Sequence, residues 1–177
     1  MKKMLAFPDL RQYSSYDCGA NAIQSVLAYY GLNVREDRIV KIAGSTAKIG
    51  TEPEGFEKIA RKFGFKCRIE QMTIRDLKKS IDKKQPVVLL LQAYPDKKVL
   101  NWEKTWHTGH YAVAIGYDSK KIYFEDPSSM CRTYLSFKEL DKRWHDKDAF
   151  GKKYEHAGII FAGKKPKYNP EKAVHMD

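Results

Sequence analysis

One stretch, QYSSYDCGANAIQSVLAYYG at residues 12–31, limits what the chain can fold into more than any other. Ala20, Ile23, Val26, Leu27 and Tyr30 recur at helical spacing and form one apolar face, which requires a second layer to cover it. Asp17 is placed to cap the start of this helix and Gly31 to end it. Cys18 then falls in the first turn, where unpaired backbone N–H groups and the positive end of the helix dipole suit a thiolate nucleophile. A buried structural cysteine is the bland alternative, since free cysteines are often buried. The residues that accompany Cys18 decide between the two.

The rest of the chain predicts an α+β fold. A short strand is expected around Met4–Phe7 and a helix over Val34–Ala43. Thr51 with Glu54 reads as a capping box, with Pro53 in the first turn of a helix through Phe56, Ile59 and Ala60. Residues 65–71 alternate like a strand, and Thr73 with Asp76 opens another helix. After Pro86, VVLLLQAY is apolar throughout and reads as a central strand buried on both faces. Residues 94–108 form a long loop carrying Trp102 and Trp106, which either wall a cleft or pack the loop onto the body. GHYAVAIGYD and KIYFED are strands joined by a turn near Ser119 and Lys120. A strand near 132–135, a helix capped by Ser136 and Glu139, and a last strand in HAGIIFAG complete a single domain over 1–163, followed by a polar tail over 164–177.

Composition narrows the function classes. The net charge is +11, yet no more than two basic residues are consecutive, which favours a solvated lysine surface. No basic–aromatic groove motif is present, so no nucleic acid partner is expected. No apolar run has the length of a membrane span, and the N-terminus lacks the apolar core of a secretory signal. Three cysteines without a CxxC pair predict free thiols, hence the cytoplasm, and no metal cluster or cofactor motif is visible.

Cysteine hydrolysis needs a thiolate, an imidazole, a group to orient the imidazole and donors for an oxyanion. His110 begins a core strand and is the base candidate, with His107 second. Asp126, at the end of the next strand, is placed to fix the imidazole tautomer, although Asp-Pro also starts turns without any chemistry. Gln12, six residues before Cys18, offers an amide to the oxyanion beside the Cys18 N–H. A two-residue turn at Ser119–Lys120 would put His110 and Asp126 on opposite faces of the sheet, so a longer loop or a β-bulge is required. Cys67 is expected to be structural and Cys131 incidental.

The motifs QYSSYDC, DCGANAIQSVLAYYG, GHYAVAIGYD and EDPSS, with a weaker match over GTEPEGFEKIARKFGF, resemble the papain-like cysteine peptidases of the bacteriocin-processing, double-glycine leader family. The resemblance spans roughly residues 8–162. It implies a papain-like fold with N-terminal helices packed on a mostly antiparallel sheet. It also implies Cys18 as nucleophile, His110 as base, Asp126 as orienting group and Gln12 as oxyanion donor. The expected substrate is a peptide or small protein, processed by a stand-alone domain rather than one joined to an exporter. Two other functions fit the same residues: an acyl or peptidyl transferase using the same acyl-enzyme, and a non-catalytic basic binding module.

Overall fold

The computed structural model describes residues 1–176 apart from Ser15 and Leu100. In chain order the elements are β1 (Lys3–Met4), α1 (Cys18–Tyr29), α2 (Glu36–Ala43), α3 (Pro53–Lys62), β2 (Lys66–Gln71), α4 (Ile74–Asp82) and β3 (Val87–Gln92). After a 3-10 turn at Trp102–Lys104 come β4 (Gly109–Tyr117), β5 (Lys121–Glu125), β6 (Thr133–Ser136), α5 (Phe137–Arg143), β7 (His145–Lys147), β8 (Lys153–Glu155) and β9 (Ala157–Ala162). One antiparallel sheet runs β2-β9-β3-β4-β5-β6, with β1 added to β4, and β7 and β8 make a separate ribbon.

The apolar run after Pro86 becomes the centre of this sheet because both of its faces are covered. Val88 and Leu90 join Tyr111, Val113 and Ile159 against α1, α2 and α3, where Ile23, Leu27, Ile39 and Phe56 are buried. Val87, Leu89 and Leu91 face the other way with Ala112, Ala114 and Ile160, against Leu77 of α4 and Leu140 of α5. Each fully buried Leu or Ile stabilises the fold by about 1.5–3 kcal/mol, so the two layers hold the sheet from both sides. Among the described residues no helix is long and apolar enough to cross a membrane.

The local capping signals fare unevenly. Thr73 with Asp76 and Ser136 with Glu139 form the expected reciprocal boxes. Gly31 takes φ +84° just beyond α1, the left-handed stop a glycine allows without strain. Thr51 does not cap α3. Its buried hydroxyl pairs with Ser45 at 2.7 Å, and Glu52 holds the N-cap position with no side-chain bond. Asp17 likewise occupies the N-cap of α1 but accepts the Ser14 hydroxyl instead of capping. In both cases another side chain takes up the group that would have capped the helix.

The β4–β5 hairpin settles the question of face. Asp118 and Lys121 close a two-residue turn, which alone would separate His110 from Asp126. A bulge between Ala114 and Gly116 shifts the register from Gly116↔Tyr123 to Ala114↔Phe124 and reverses the parity beyond it. His110 and Asp126 thereby become diagonal neighbours on one face, as required.

The loop before β4 is fastened at both ends. Gln92, fully buried, accepts from the Thr108 N–H and hydroxyl and donates to the His145 carbonyl and the Asp146 carboxylate. Trp102 lies under the Arg143 guanidinium at 3.8 Å, and the Trp106 ring packs on His145. In residues 164–176, Lys167 and Tyr168 donate their backbone N–H groups to the Tyr29 carbonyl at the end of α1.

Candidate active site

Cys18 comes close to β4 because the next residue has no side chain. A Cβ on Gly19 would lie 2.6 Å from the Thr51 Cβ and 3.0 Å from the Tyr111 ring, so only glycine lets the head of α1 sit this near the strand. Cys18 is half-buried and opens into a cleft of about 670 Å³ shared with Gln12, Tyr94, His107, His110 and Ser128. A second cavity of about 420 Å³ reaches Cys18 along another wall, past Trp106, Tyr111 and Asp146. Trp106 therefore both packs and walls, whereas Trp102 packs against Arg143.

His110 is buried, with Nε2 2.8 Å from Asp126 Oδ1, and it lines the same cleft as Cys18, near enough for the sulfur to influence its titration. With Nε2 committed to the carboxylate, Nδ1 is the nitrogen left for sulfur. Burial pulls the imidazole pKa down, but Asp126 and Cys18 outweigh it and raise it to about 9. Burial pushes the Asp126 carboxyl up, and His110, the Tyr94 hydroxyl at 2.6 Å and the Ser128 N–H at 3.0 Å reverse that, while the Thr133 hydroxyl also donates to it at 3.0 Å. Its pKa is lowered to about 2. A carboxylate this well satisfied stays charged and holds the ring in one tautomer.

Gln12 lines the same cleft. Its Nε2 donates to the Ser14 carbonyl at 2.7 Å, leaving its second amide N–H without a partner among the described residues, and its Oε1 accepts the Ser128 hydroxyl. Its position depends on residues that spacing did not reveal. Glu125, 1 % exposed, accepts the Leu10 N–H at 2.8 Å and pairs with Arg132 and Arg11. Arg132 in turn binds the Phe7 and Pro8 carbonyls. This buried ion pair clamps the segment leading to Gln12 onto β5. The one sequence signal for it was an acidic residue at a core position of KIYFED, since a buried carboxylate needs a cation.

The structure thus brings all four predicted residues to one place and leaves His107 exposed at the rim. Tyr94 and Thr133, which share Asp126 with His110, escaped sequence reading because neither carries a motif. Cys67 and Cys131 stand outside the cleft. The arrangement can pass a proton between sulfur and nitrogen while a fixed anion stabilises the resulting imidazolium.

Comparison with known proteins identifies the family and the fold. Residues 7–155 match the model of the Peptidase C39 family. The fold is similar to the peptidase domain of Streptococcus ComA, a bi-functional ABC transporter involved in a quorum sensing pathway, with TM-score 0.67, 20% identity, and coverage of 88% of this chain and 97% of that one. It is also similar to a double glycine motif protease from an AMS/PCAT transporter in complex with the leader peptide, with TM-score 0.64, 19% identity, and coverage of 93% and 94%. An uncharacterized protein of Methanothermobacter marburgensis is 29% identical over 119 residues, 67% of this chain and 70% of that protein. With a match over most of its length and a papain-like α+β fold around a cysteine–histidine cleft, the chain belongs to the Peptidase C39 family and is a cysteine peptidase.

Proposed function

We propose that the protein cleaves leader peptides through a thioester made on Cys18, with His110, Asp126 and Gln12 as the other working residues. The carrying observation is His110, which shares one cleft with Cys18 and lies 2.8 Å from the Asp126 carboxylate. His110 takes the thiol proton and the sulfur attacks the scissile carbonyl carbon. A C–S bond forms, and the carbonyl oxygen becomes an anion that accepts from the free Gln12 amide N–H and the Cys18 N–H, one of the first-turn donors with no intrahelical partner. His110 then gives its proton to the leaving nitrogen as the C–N bond breaks. Water, deprotonated by His110, attacks the thioester, the C–S bond breaks, and the carboxylic product leaves. Asp126 keeps its negative charge throughout.

A leader as substrate is supported by the family and by the fold shared with a double glycine motif protease bound to its leader peptide. Work in the cytoplasm is supported by three cysteines that remain free. Residues 1–163 are the peptidase domain in this reading, and residues 164–177 a tail. Incubating the intact chain with a peptide library and sequencing the products by mass spectrometry tests it. Cleavage at one class of bond, lost in Cys18→Ala, supports the reading; no cleavage of any peptide under reducing conditions refutes it. A parallel reaction with an added amine separates hydrolysis from acyl transfer, because a transferase product carries the amine.

A further inference from the structure

Tyr94 lies two residues beyond the end of β3 and precedes Pro95. Its backbone takes φ +49°, a left-handed conformation that bulky residues rarely enter, at a pre-proline position that normally stays extended. Strain of this kind persists only where surroundings over-determine it, and it collects at functional sites. Core packing does not account for it here, because Tyr94 is 54% exposed. Two contacts do: its hydroxyl donates to Asp126 Oδ2 at 2.6 Å, and its ring stands edge-on to the His110 ring, centroids 5.2 Å apart at 87°. The side chain divides the Cys18 cleft from an apolar cavity of about 370 Å³ behind His110 and Asp126.

We infer that Tyr94 is a positioning residue for the reaction, sharing the Asp126 carboxylate with His110 and fixing the plane of the imidazole so that its free nitrogen stays aimed at Cys18. This rests on the assignment of Cys18 and His110 as the working pair. A neutral donor on Oδ2 draws off charge that Oδ1 would otherwise offer to the imidazolium. Tyr94 therefore weakens the hold of Asp126 on the His110 proton while tightening the geometry. A proton held less firmly is more readily given to a leaving group.

The other charged or titratable groups facing the pair come from several elements. Cys18 approaches from α1, Tyr111 is next on β4, and His107, Asp96, Lys97 and Lys98 line the same cleft. Tyr134 and Arg143 lie across the rear cavity, Arg11 reaches the Asp126 carbonyl at 3.5 Å, and Glu125 is paired with Arg132. Tyr94→Phe leaves all of these in place and keeps the ring.

Alkylation of Cys18 by iodoacetamide, followed from pH 4 to 10 in the intact chain by mass spectrometry, needs no known substrate. In Tyr94→Phe the upper limb of the profile, where the imidazolium is lost, moves up by about 0.5–1 pH unit, the worth of one neutral hydrogen bond. Tyr94→Leu, which also loses the ring, lowers the plateau rate about tenfold through lost orientation, and phenylalanine at the same position restores it. A Tyr94→Phe limb that coincides with wild type or moves down, or a Tyr94→Leu plateau equal to wild type, overturns the proposal. His110→Ala separates the two levels: a wild-type profile there sinks the Cys18–His110 assignment itself, before Tyr94 is considered.

Discussion

Cys18 and Cys67 are both half-buried thiols in strongly structured elements, and their surroundings differ in the opposite way from what their sequence neighbours suggest. Cys67 sits between Lys66 and Arg68, two cations that would stabilise a thiolate if they faced it. Strand alternation turns both outward to solvent while Cys67 packs against the helical layer. Burial, with Glu57 nearby, pushes its thiol up to about 11. Cys18 has an aspartate before it and a glycine after it, with no cation adjacent in sequence, yet the fold delivers the His110 imidazole to it. The groups that tune a thiol are its neighbours in space, and in a sheet the adjacent residues along the chain are the ones directed elsewhere.

The largest expected effect breaks this comparison outright. Cys18→Ala abolishes peptide cleavage, whereas Cys67→Ala keeps the rate and loses about 1 kcal/mol of stability in chemical denaturation, the usual cost of one unremarkable core change. Equal loss of turnover in both variants ends the assignment. Next, His110→Ala lowers kcat by about 10²–10⁴-fold, the range of a positioned acid–base, while His107→Ala changes it little. A greater loss in His107→Ala moves the base to the rim of the cleft. Gln12→Ala costs about 10²–10³ in kcat if its free N–H serves the oxyanion, with KM nearly constant.

The smallest effect concerns the pH dependence of folding. The folded imidazole value of His110, raised to about 9, lies above its ordinary 6.5. Its contribution to stability is therefore full below about pH 6.5 and disappears as pH rises through about 9. Denaturation midpoints measured from pH 6 to 10 should fall across that window in the wild type, and His110→Ala should lack this component. An identical fall in both chains would show that His110 is not its source.

Much of the architecture was legible from the residues because it depends on periods and caps. The helical face of α1, the reciprocal boxes at Thr73 and Ser136, and the doubly buried β3 are each written in adjacent or regularly spaced residues. The β7–β8 ribbon was missed, since three-residue strands carry no readable period. Thr51 was misread because its local signal is real but its hydroxyl finds Ser45 instead.

The site divides along the same line. Sequence alone determined which residue types were present for cysteine chemistry, where Cys18 falls on its helix, and that some irregularity had to bring His110 and Asp126 to one face, because side-chain alternation is a fixed property of the backbone. Only the tertiary structure decided that the irregularity is a bulge at Ala114–Gly116, that Glu125 and Arg132 anchor the approach to Gln12, and that Tyr94 shares Asp126 with the imidazole. These are contacts between elements far apart in the chain. Their energies depend on burial and on which partner arrives first at a buried charge, and no local pattern encodes either.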